Sequence, residues 1–214
     1  MDALVVYESR VRLLGNLAGT LPNSWRRKRH RLRPVAVEWA VSCSAGRRDV
    51  GVLDGIRADR DAAGTALVED VGAVIEAAAA MSRRFGRAGR LLAFGRAEAA
   101  ADAAHVAVEF THPVIVGKRA LPAHCLGAEP SLLSILGRPQ DIAVGIRPDS
   151  GDLAAAREHG MLTIALTANE ACAEADHVLS ARSADPLVAR EIHVTMYHLL
   201  WELVHVFQEA PRVP

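Results

Sequence analysis

The sequence predicts an α/β protein built on a doubly wound parallel sheet flanked by helices. From Thr65 onward, short β-like runs alternate with runs of helical periodicity, which is typical of parallel sheets. Half of the residues are hydrophobic and only 4% are aromatic, so Ala, Val and Leu form the core and Ala-rich helices can pack closely. The 214 residues suffice for one such domain, or for a domain with an extension.

Residues 1–64 are predicted to be a helical and irregular extension. Apolar spacing predicts a helix over residues 3–17, which ends before Pro22. Residues 26–33 hold six Lys or Arg side chains, which we interpret as a solvated linker. The alternative is an anion or nucleic-acid patch, although no aromatic residue interleaves with the charges. Residues 45–64 are charged and rich in glycine, so we expect a loop or short elements there.

Residues 65–214 are predicted to form the α/β domain. Its first helix begins at Thr65 as N-cap and stops at Gly86. Pro186 suits the first turn of a long last helix. The predicted strands cover residues 90–94, 113–116, 141–146, 161–166 and 177–179. The helices between and after them cover residues 97–110, 130–136, 151–159 and about 186–207. Ligands of such sheets bind outside the carboxyl ends of the strands, where the turn after residue 94 lies.

Charge and cysteine content limit the function classes. The formal net charge is zero, which gives no global attraction to nucleic acid or to an acidic membrane. Cys43, Cys125 and Cys172 form no C-x-x-C pair, a pattern typical of reduced thiols in the cytoplasm. No apolar run reaches the roughly 18 residues that a membrane span needs. We therefore expect a cytoplasmic protein with neither a membrane nor a nucleic acid as its partner.

Two predicted helices carry polar side chains that a plain core would not need. His105 and Glu109 are four residues apart and share one helix face. The last helix carries a polar stripe at steps of four, three, four and three, namely Glu191, Thr195, His198, Glu202 and His205. One interpretation is a solvated face. The other is a site, because His, Glu and His from two helices suit a divalent ion such as Zn²⁺, or acid–base catalysis.

Three segments resemble the SIS (sugar isomerase) domain family, and within it the phosphoheptose isomerase branch. They are "FGRAEAAADAAHVAVE", "LTIALTANE" and "REIHVTMYHLLWELVH". Family members read C-G-N-G-G-S-A-A-D-A-Q-H-x-x-x-E at the first and Q-E-x-H-x-x-x-x-H at the last. The resemblance covers roughly residues 65–208 and implies a flavodoxin-like three-layer sandwich. It also implies conversion of sedoheptulose 7-phosphate to a heptose 7-phosphate, and assembly as a homodimer or homotetramer.

The resemblance assigns roles to individual residues. Glu109 and His198 match the family's base and acid, which pass a proton between C1 and C2 of the sugar through an enediol. His105, Glu109 and His198 match its metal ligands, so one Zn²⁺ per site is implied. Asp102 matches the Asp of the first motif, and His193 matches another histidine of the last helix.

The departures from the family pattern fall on its ligand contacts. Arg190 stands where the family has a Gln metal ligand, and an arginine cannot ligate a metal. The phosphate turn is rewritten as Arg96-Ala97-Glu98-Ala99, and the second phosphate loop keeps only Ser150 and Gly151. Arginines could replace the lost hydroxyls, although Glu98 and Asp149 oppose them. The predicted substrate-binding residues are therefore Arg96, Asp102, Arg147, Ser150, Gly151 and Arg190.

Three functions remain open at this point. The first is an isomerase of phosphorylated sugars that uses Glu109 and His198, with or without a metal. The second is a non-catalytic SIS domain that binds a sugar phosphate or a partner protein. The third is a metal-binding accessory protein that keeps His105, Glu109 and His198. The substituted Arg190 and the rewritten loops favour the second, and the retained trio favours the first and third.

Overall fold

The computed structural model describes residues 47–113 and 115–209. The chain divides into two units, Met1–Asp61 and Ala62–Pro214. The predicted helix over residues 3–17 and the basic run at 26–33 lie outside the described residues.

The first described element is helix α1, Arg47–Glu69, so the prediction of a loop or short elements over residues 45–64 is wrong for its described part. Thr65 lies inside this helix and does not cap one. Arg57 pairs with Asp61 at 3.9 Å, and Arg60 donates to the Ile56 carbonyl, so contacts four residues apart support the helix across its glycines. No alternating apolar pattern in this segment favours a strand instead.

The domain is built on a five-stranded parallel sheet in the order β2-β1-β3-β4-β5. Every residue of β1, β3 and β4 is buried, which indicates that helices cover both faces of the sheet. The strands are β1 (Leu91–Gly95), β2 (Ala123–Cys125), β3 (Ile142–Ile146), β4 (Leu162–Thr167) and β5 (His177–Ser180). The doubly wound α/β sheet predicted from the sequence is thus confirmed.

The chain order reverses between β1 and β3, which lie side by side although β2 separates them in sequence. From β1 the chain moves to one edge of the sheet, and from β3 it moves toward the other. Such a reversal opens a crevice at the carboxyl ends of the two strands, where ligands of open α/β sheets bind. The loops that follow β1 and β3 line this crevice.

Helices connect the strands close to the predicted positions. They are α2 (Val71–Phe85), α3 (Ala99–Thr111), α4 (Leu132–Leu136), α5 (Ala154–Glu158) and α6 (Pro186–Glu209). Gly86 ends α2, as predicted. Gly95 lets α3 start close to the strand, because a Cβ at this position would lie 2.6 Å from the Ala99 carbonyl oxygen. The turn after β1 is therefore tight, and it brings the first turn of α3 against the sheet.

The strand predicted over residues 113–116 is wrong. Residues 113, 115 and 116 belong to no strand, Val116 is fully exposed, and Gly117 turns the chain at φ 88°. The edge strand is β2, where Ala123 pairs with Leu91 of β1. Pro113, Ile115 and Val116 therefore pair with no strand, and their apolar composition alone misled the prediction.

Two further sequence expectations concern membranes and thiols. Over the described residues, no helix combines the length and the apolar character that crossing a bilayer requires. Cys125 and Cys172 carry free thiols, in keeping with the expectation of reduced cysteines, while Cys43 lies outside the described residues.

Candidate active site

Helices α3 and α6 bring the predicted catalytic and metal-binding residues together. Glu109 Oε1 lies 3.1 Å from His105 Nε2 and 3.5 Å from His198 Nε2. The two imidazole rings have centroids 5.2 Å apart and are nearly perpendicular. One ligand atom from each of the three side chains lies within 4.8 Å of the others. His105 and Glu109, which share one face of α3, thus lie beside His198 of α6, about 90 residues later in the chain.

Tyr197 completes this cluster and was not among the predicted site residues. Its hydroxyl lies 2.7 Å from His105 Nδ1, so it fixes the ring that faces Glu109 through Nε2. Burial raises the pKa of Tyr197, with the charges of Asp102 and Glu109 acting in the same direction. The hydroxyl therefore keeps its proton at neutral pH. In the sequence, Tyr197 flanks the polar stripe of the last helix, and only its position beside His198 hinted at a role.

The contacts between α3 and α6 continue toward the start of both helices. Arg190 binds the buried Asp102 carboxylate through two groups, with Nε at 2.8 Å from Oδ2 and Nη2 at 3.0 Å from Oδ1. This hydrogen bond, and then the charge of Asp102, raise the pKa of Arg190. The Asp102 carboxylate therefore balances the positive charge of Arg190 near the site.

The three donors fit a divalent metal ion. Ligand atoms at ~2 Å from a tetrahedral ion lie roughly 3.3 Å apart, and the distances from Glu109 Oε1 to the two imidazole Nε2 atoms, 3.1 and 3.5 Å, match this spacing. Two histidines and one glutamate are a donor set of catalytic zinc sites that keep one position open. A hydrogen bond from His105 Nδ1–H to the Tyr197 oxygen would leave Nε2 as the ligand atom, as in many metal sites.

Two other histidines of α6 lie outside this cluster. His205 was predicted to belong to a polar stripe, but it is buried, with Nε2 3.0 Å from the Arg119 carbonyl oxygen. His193 is also buried, and its Nε2 donates to the Thr167 carbonyl at 2.9 Å. Their backbone partners satisfy both side chains, so His205 and His193 serve the packing of α6 against neighbouring segments.

The buried His193 should make the domain less stable in mild acid. Burial lowers its pKa, so below the ordinary value of about 6.5 the unfolded chain takes up a proton that the folded chain resists. Stability is fully present above that value and falls as the pH drops below it. In urea unfolding, wild type should lose more stability between pH 7.5 and 5.5 than His193→Gln, which keeps a donor for Thr167. Equal losses in the two proteins would contradict this.

The predicted phosphate-binding arginines lie in the crevice between β1 and β3, and both are paired with carboxylates. Arg96 binds Asp152 through both Nη atoms, with Nη2 at 2.9 Å from Oδ1, and its Nη1 lies 3.0 Å from Asp149 Oδ2. Arg147 Nη1 donates to Glu98 Oε1 at 2.7 Å. Each arginine therefore crosses from one loop to an acid of the other.

Ser150 and Gly151, also predicted to contact substrate, are exposed in the loop between these acids. Gly151 adopts φ 88°, which explains why a glycine remains at this turn. The following helix, α5, has only five residues. A role of Ser150 and Gly151 in binding substrate stays a prediction.

Comparison with known proteins identifies the family to which this chain belongs. No family model matches the chain. The phosphoheptose isomerase of Nitratidesulfovibrio vulgaris is 30% identical over 160 residues, which is 63% of this chain and 77% of that protein. This chain belongs to the phosphoheptose isomerase family. The family's enzyme from Desulfovibrio desulfuricans is 34% identical over 148 residues, covering 56% of this chain and 70% of its own length.

Solved structures of the phosphoheptose isomerase family agree with the fold. The isomerase from Neisseria gonorrhoeae superposes with a TM-score of 0.59 at 25% identity, over 74% of this chain and 96% of its own. The one from Francisella tularensis has the same TM-score at 21% identity and supports the fold. The protein is therefore a divergent, sugar-phosphate isomerase-like member of the SIS fold, as its motifs predicted.

Proposed function

We propose that this protein is a metal-dependent aldose–ketose isomerase of phosphorylated sugars, with sedoheptulose 7-phosphate as the first substrate to test. The observation that carries the proposal is the convergence of His105, Glu109 and His198 from two helices, with Glu109 Oε1 at 3.1 and 3.5 Å from the two imidazoles. The names of the relatives, phosphoheptose isomerase, supply the substrate class.

In the proposed reaction Glu109 is the base. Its Oε1 faces the two histidines, and the second carboxylate oxygen takes the proton from C1 of the ketose. His198 donates its Nδ1–H proton to the carbonyl oxygen at C2, which gives an enediol, so that its Nε2, which faces Glu109, can still ligate a metal. His198 then takes the proton of the C1 hydroxyl, and Glu109 returns its proton to C2. The product is the aldose, and both residues regain their starting protonation.

A bound divalent ion would be held by His105, Glu109 and His198 and would polarise the substrate carbonyl. The Asp102 carboxylate matches the charge of Arg190, which reduces the repulsion that an unpaired arginine would exert on the ion. The Arg190 side chain is 42% exposed, so we propose that its guanidinium also hydrogen-bonds substrate hydroxyls.

Tyr197 should hold His105 in the orientation that a metal requires. In Tyr197→Phe the ring remains and the bond to His105 Nδ1 is lost, so zinc should bind about 10- to 100-fold more weakly. Zinc titration against a competing chelator would measure this. The control is Thr111→Val. It removes a hydroxyl on α3, the helix of His105, and this hydroxyl donates to backbone carbonyls. The same zinc affinity in Tyr197→Phe and wild type would contradict the role.

The test of the proposed function is turnover by the purified wild-type protein. We expect interconversion of sedoheptulose 7-phosphate and its aldose, loss of that activity with a chelator and recovery with added Zn²⁺. No turnover with Zn²⁺, Mn²⁺, Co²⁺ or Ni²⁺ would overturn the proposal. Location in the cytoplasm and assembly as a homodimer or homotetramer stay predictions, and the mass of the protein in solution tests the second.

A non-catalytic SIS domain is the second candidate function, and the paired arginines favour it. Arg96 and Arg147 each bind carboxylates of this chain. The crevice therefore attracts an anion less strongly than two unpaired arginines would. Zinc and sugar binding without turnover would support this candidate.

A further inference from the structure

The crevice between β1 and β3 is where the fold would bind an anion. It lies at the carboxyl ends of the strands, at the reversal of strand order, and at the start of the 13-residue helix α3. The helix dipole favours negative charge at such a position, although the first N–H groups of α3, from Ala99 to Ala101, already donate to backbone carbonyls of residues 96–98. We call the loops at residues 96–98 and 147–152 the switch-point loops.

Carboxylates of this chain already occupy the anion positions of these loops. Glu98, beside the first turn of α3, receives the Arg147 guanidinium, and its own backbone N–H and Arg147 lower its pKa. Asp152 accepts both Arg96 and the Asp149 backbone N–H, the latter at 2.8 Å. The Asp152 side chain is only 9% exposed, so its carboxylate is held in place within the crevice.

The next loop along the sheet follows the same pattern. After β4, the Glu170 carboxylate accepts the backbone N–H groups of Ala168 and Asn169 at 2.9 and 3.0 Å. The backbone N–H of Glu170 itself, and then those of Asn169 and Ala168, lower the pKa of Glu170, and the charge of Arg147 contributes more weakly. Loops at the ends of three adjacent strands thus each place an internal carboxylate against N–H donors.

The balance of charge disfavours an added phosphate. In the switch-point loops two guanidinium groups face three carboxylates, Glu98, Asp149 and Asp152, so their sum is one negative charge. A phosphate at this position must either displace an acid from its arginine or approach a net negative cluster. Neutral hydroxyls meet no such cost, because carboxylates accept from them and guanidinium groups donate to them.

We propose that Glu98 and Asp152 are internal anions that set the substrate selectivity of this site, so that a sugar phosphate binds only by displacing them and the substrate range extends to sugars without a phosphate. This rests on the proposed isomerase function for the reaction itself. The reacting end lies close by, since Arg190 pairs with Asp102 one turn before His105 and the charge of Glu98 contributes weakly to the raised pKa of Arg190.

The test compares wild type with the double variant Glu98→Gln, Asp152→Asn, which removes two of the three carboxylates that pair with Arg96 and Arg147, leaves Asp149, and keeps the side-chain shapes. Inorganic phosphate is titrated by calorimetry at low ionic strength, and turnover is measured with sedoheptulose 7-phosphate and with sedoheptulose. Wild type should bind phosphate weakly and prefer the phosphorylated sugar by less than about tenfold in kcat/KM. The double variant should bind phosphate at least about tenfold more tightly and raise that preference.

The matched control is Glu209→Gln, which removes a carboxylate paired with Lys118 outside the crevice and should leave both measurements at wild-type values. If the double variant does not fold, Glu98→Gln alone replaces it, because that side chain is 54% exposed. Equal phosphate affinity in wild type and variant would overturn the proposal. If neither sugar turns over, the proposed reaction fails while the phosphate titration still decides this inference.

Discussion

Glu109→Gln is expected to lower kcat about 10²- to 10⁴-fold while the protein stays folded. The change keeps the size of the side chain and removes the carboxylate that the mechanism uses as base, and general-base catalysis contributes about this factor. Glu109 is only 15% exposed and faces both imidazoles, so solvent cannot easily replace it as proton acceptor.

Steady-state kinetics at saturating Zn²⁺ would measure the loss, since the glutamine also weakens the metal site. Glu209→Gln is the control, because it removes a carboxylate of α6 whose partner is Lys118. Activity in Glu109→Gln within a few-fold of wild type would rule out Glu109 as the base. The isomerase would then need another carboxylate, and no second carboxylate joins the His105, Glu109 and His198 cluster within the described residues.

Asp141→Ala is expected to destabilise the domain by roughly 3 kcal/mol, at the lower end of the cost of breaking a buried ion pair. Asp141 is fully buried at the start of β3 and receives Arg90 Nη2 at 2.6 Å. It also accepts the backbone N–H groups of Arg90 and Arg138 at 2.9 and 3.2 Å. Removing the carboxylate leaves these donors without their acceptor beneath the β1–β3 pair that carries the switch-point loops.

Urea unfolding followed by circular dichroism would measure the loss. Glu209→Ala, which breaks an ion pair with a 43% exposed carboxylate, should change the free energy of unfolding by at most about 1 kcal/mol. A similar small change in Asp141→Ala would contradict the structural role. Activity per folded molecule should remain, because Asp141 lies at the amino end of the strand and the site follows its carboxyl end.

The cluster of His105, Glu109 and His198 could be predicted from the sequence because helical periodicity places polar residues on defined faces. His105 and Glu109 share a face at a spacing of four, and a resemblance to known motifs joined them to His198. Tyr197 could not be predicted in the same way, since a tyrosine on an apolar face usually fills a core. Its bond to His105 depends on how α3 and α6 are packed, which periodicity does not specify.

The switch-point loops show a different limit of sequence analysis. Glu98 and Asp149 were seen to oppose Arg96 and Arg147, but the crossing of each arginine to an acid of the other loop depends on the pairing of β1 with β3. Asp152 was not singled out from the sequence, although it directly follows Ser150 and Gly151 in the second phosphate loop. The false strand at residues 113–116 has a similar cause: strand pairing is a long-range contact that local composition does not fix.

The central claim is that Glu109 moves a proton on and off the sugar carbon, and exchange with solvent tests it most directly. When wild type acts on sedoheptulose 7-phosphate with Zn²⁺ in D₂O, the sugar should gain deuterium at C1 and C2, the carbonyl carbon and its reacting neighbour. NMR or mass spectrometry would detect it. Glu109→Gln should incorporate it at least about 10²-fold more slowly. Equal incorporation in the two proteins, or isomerisation by wild type without any solvent deuterium, would contradict the account.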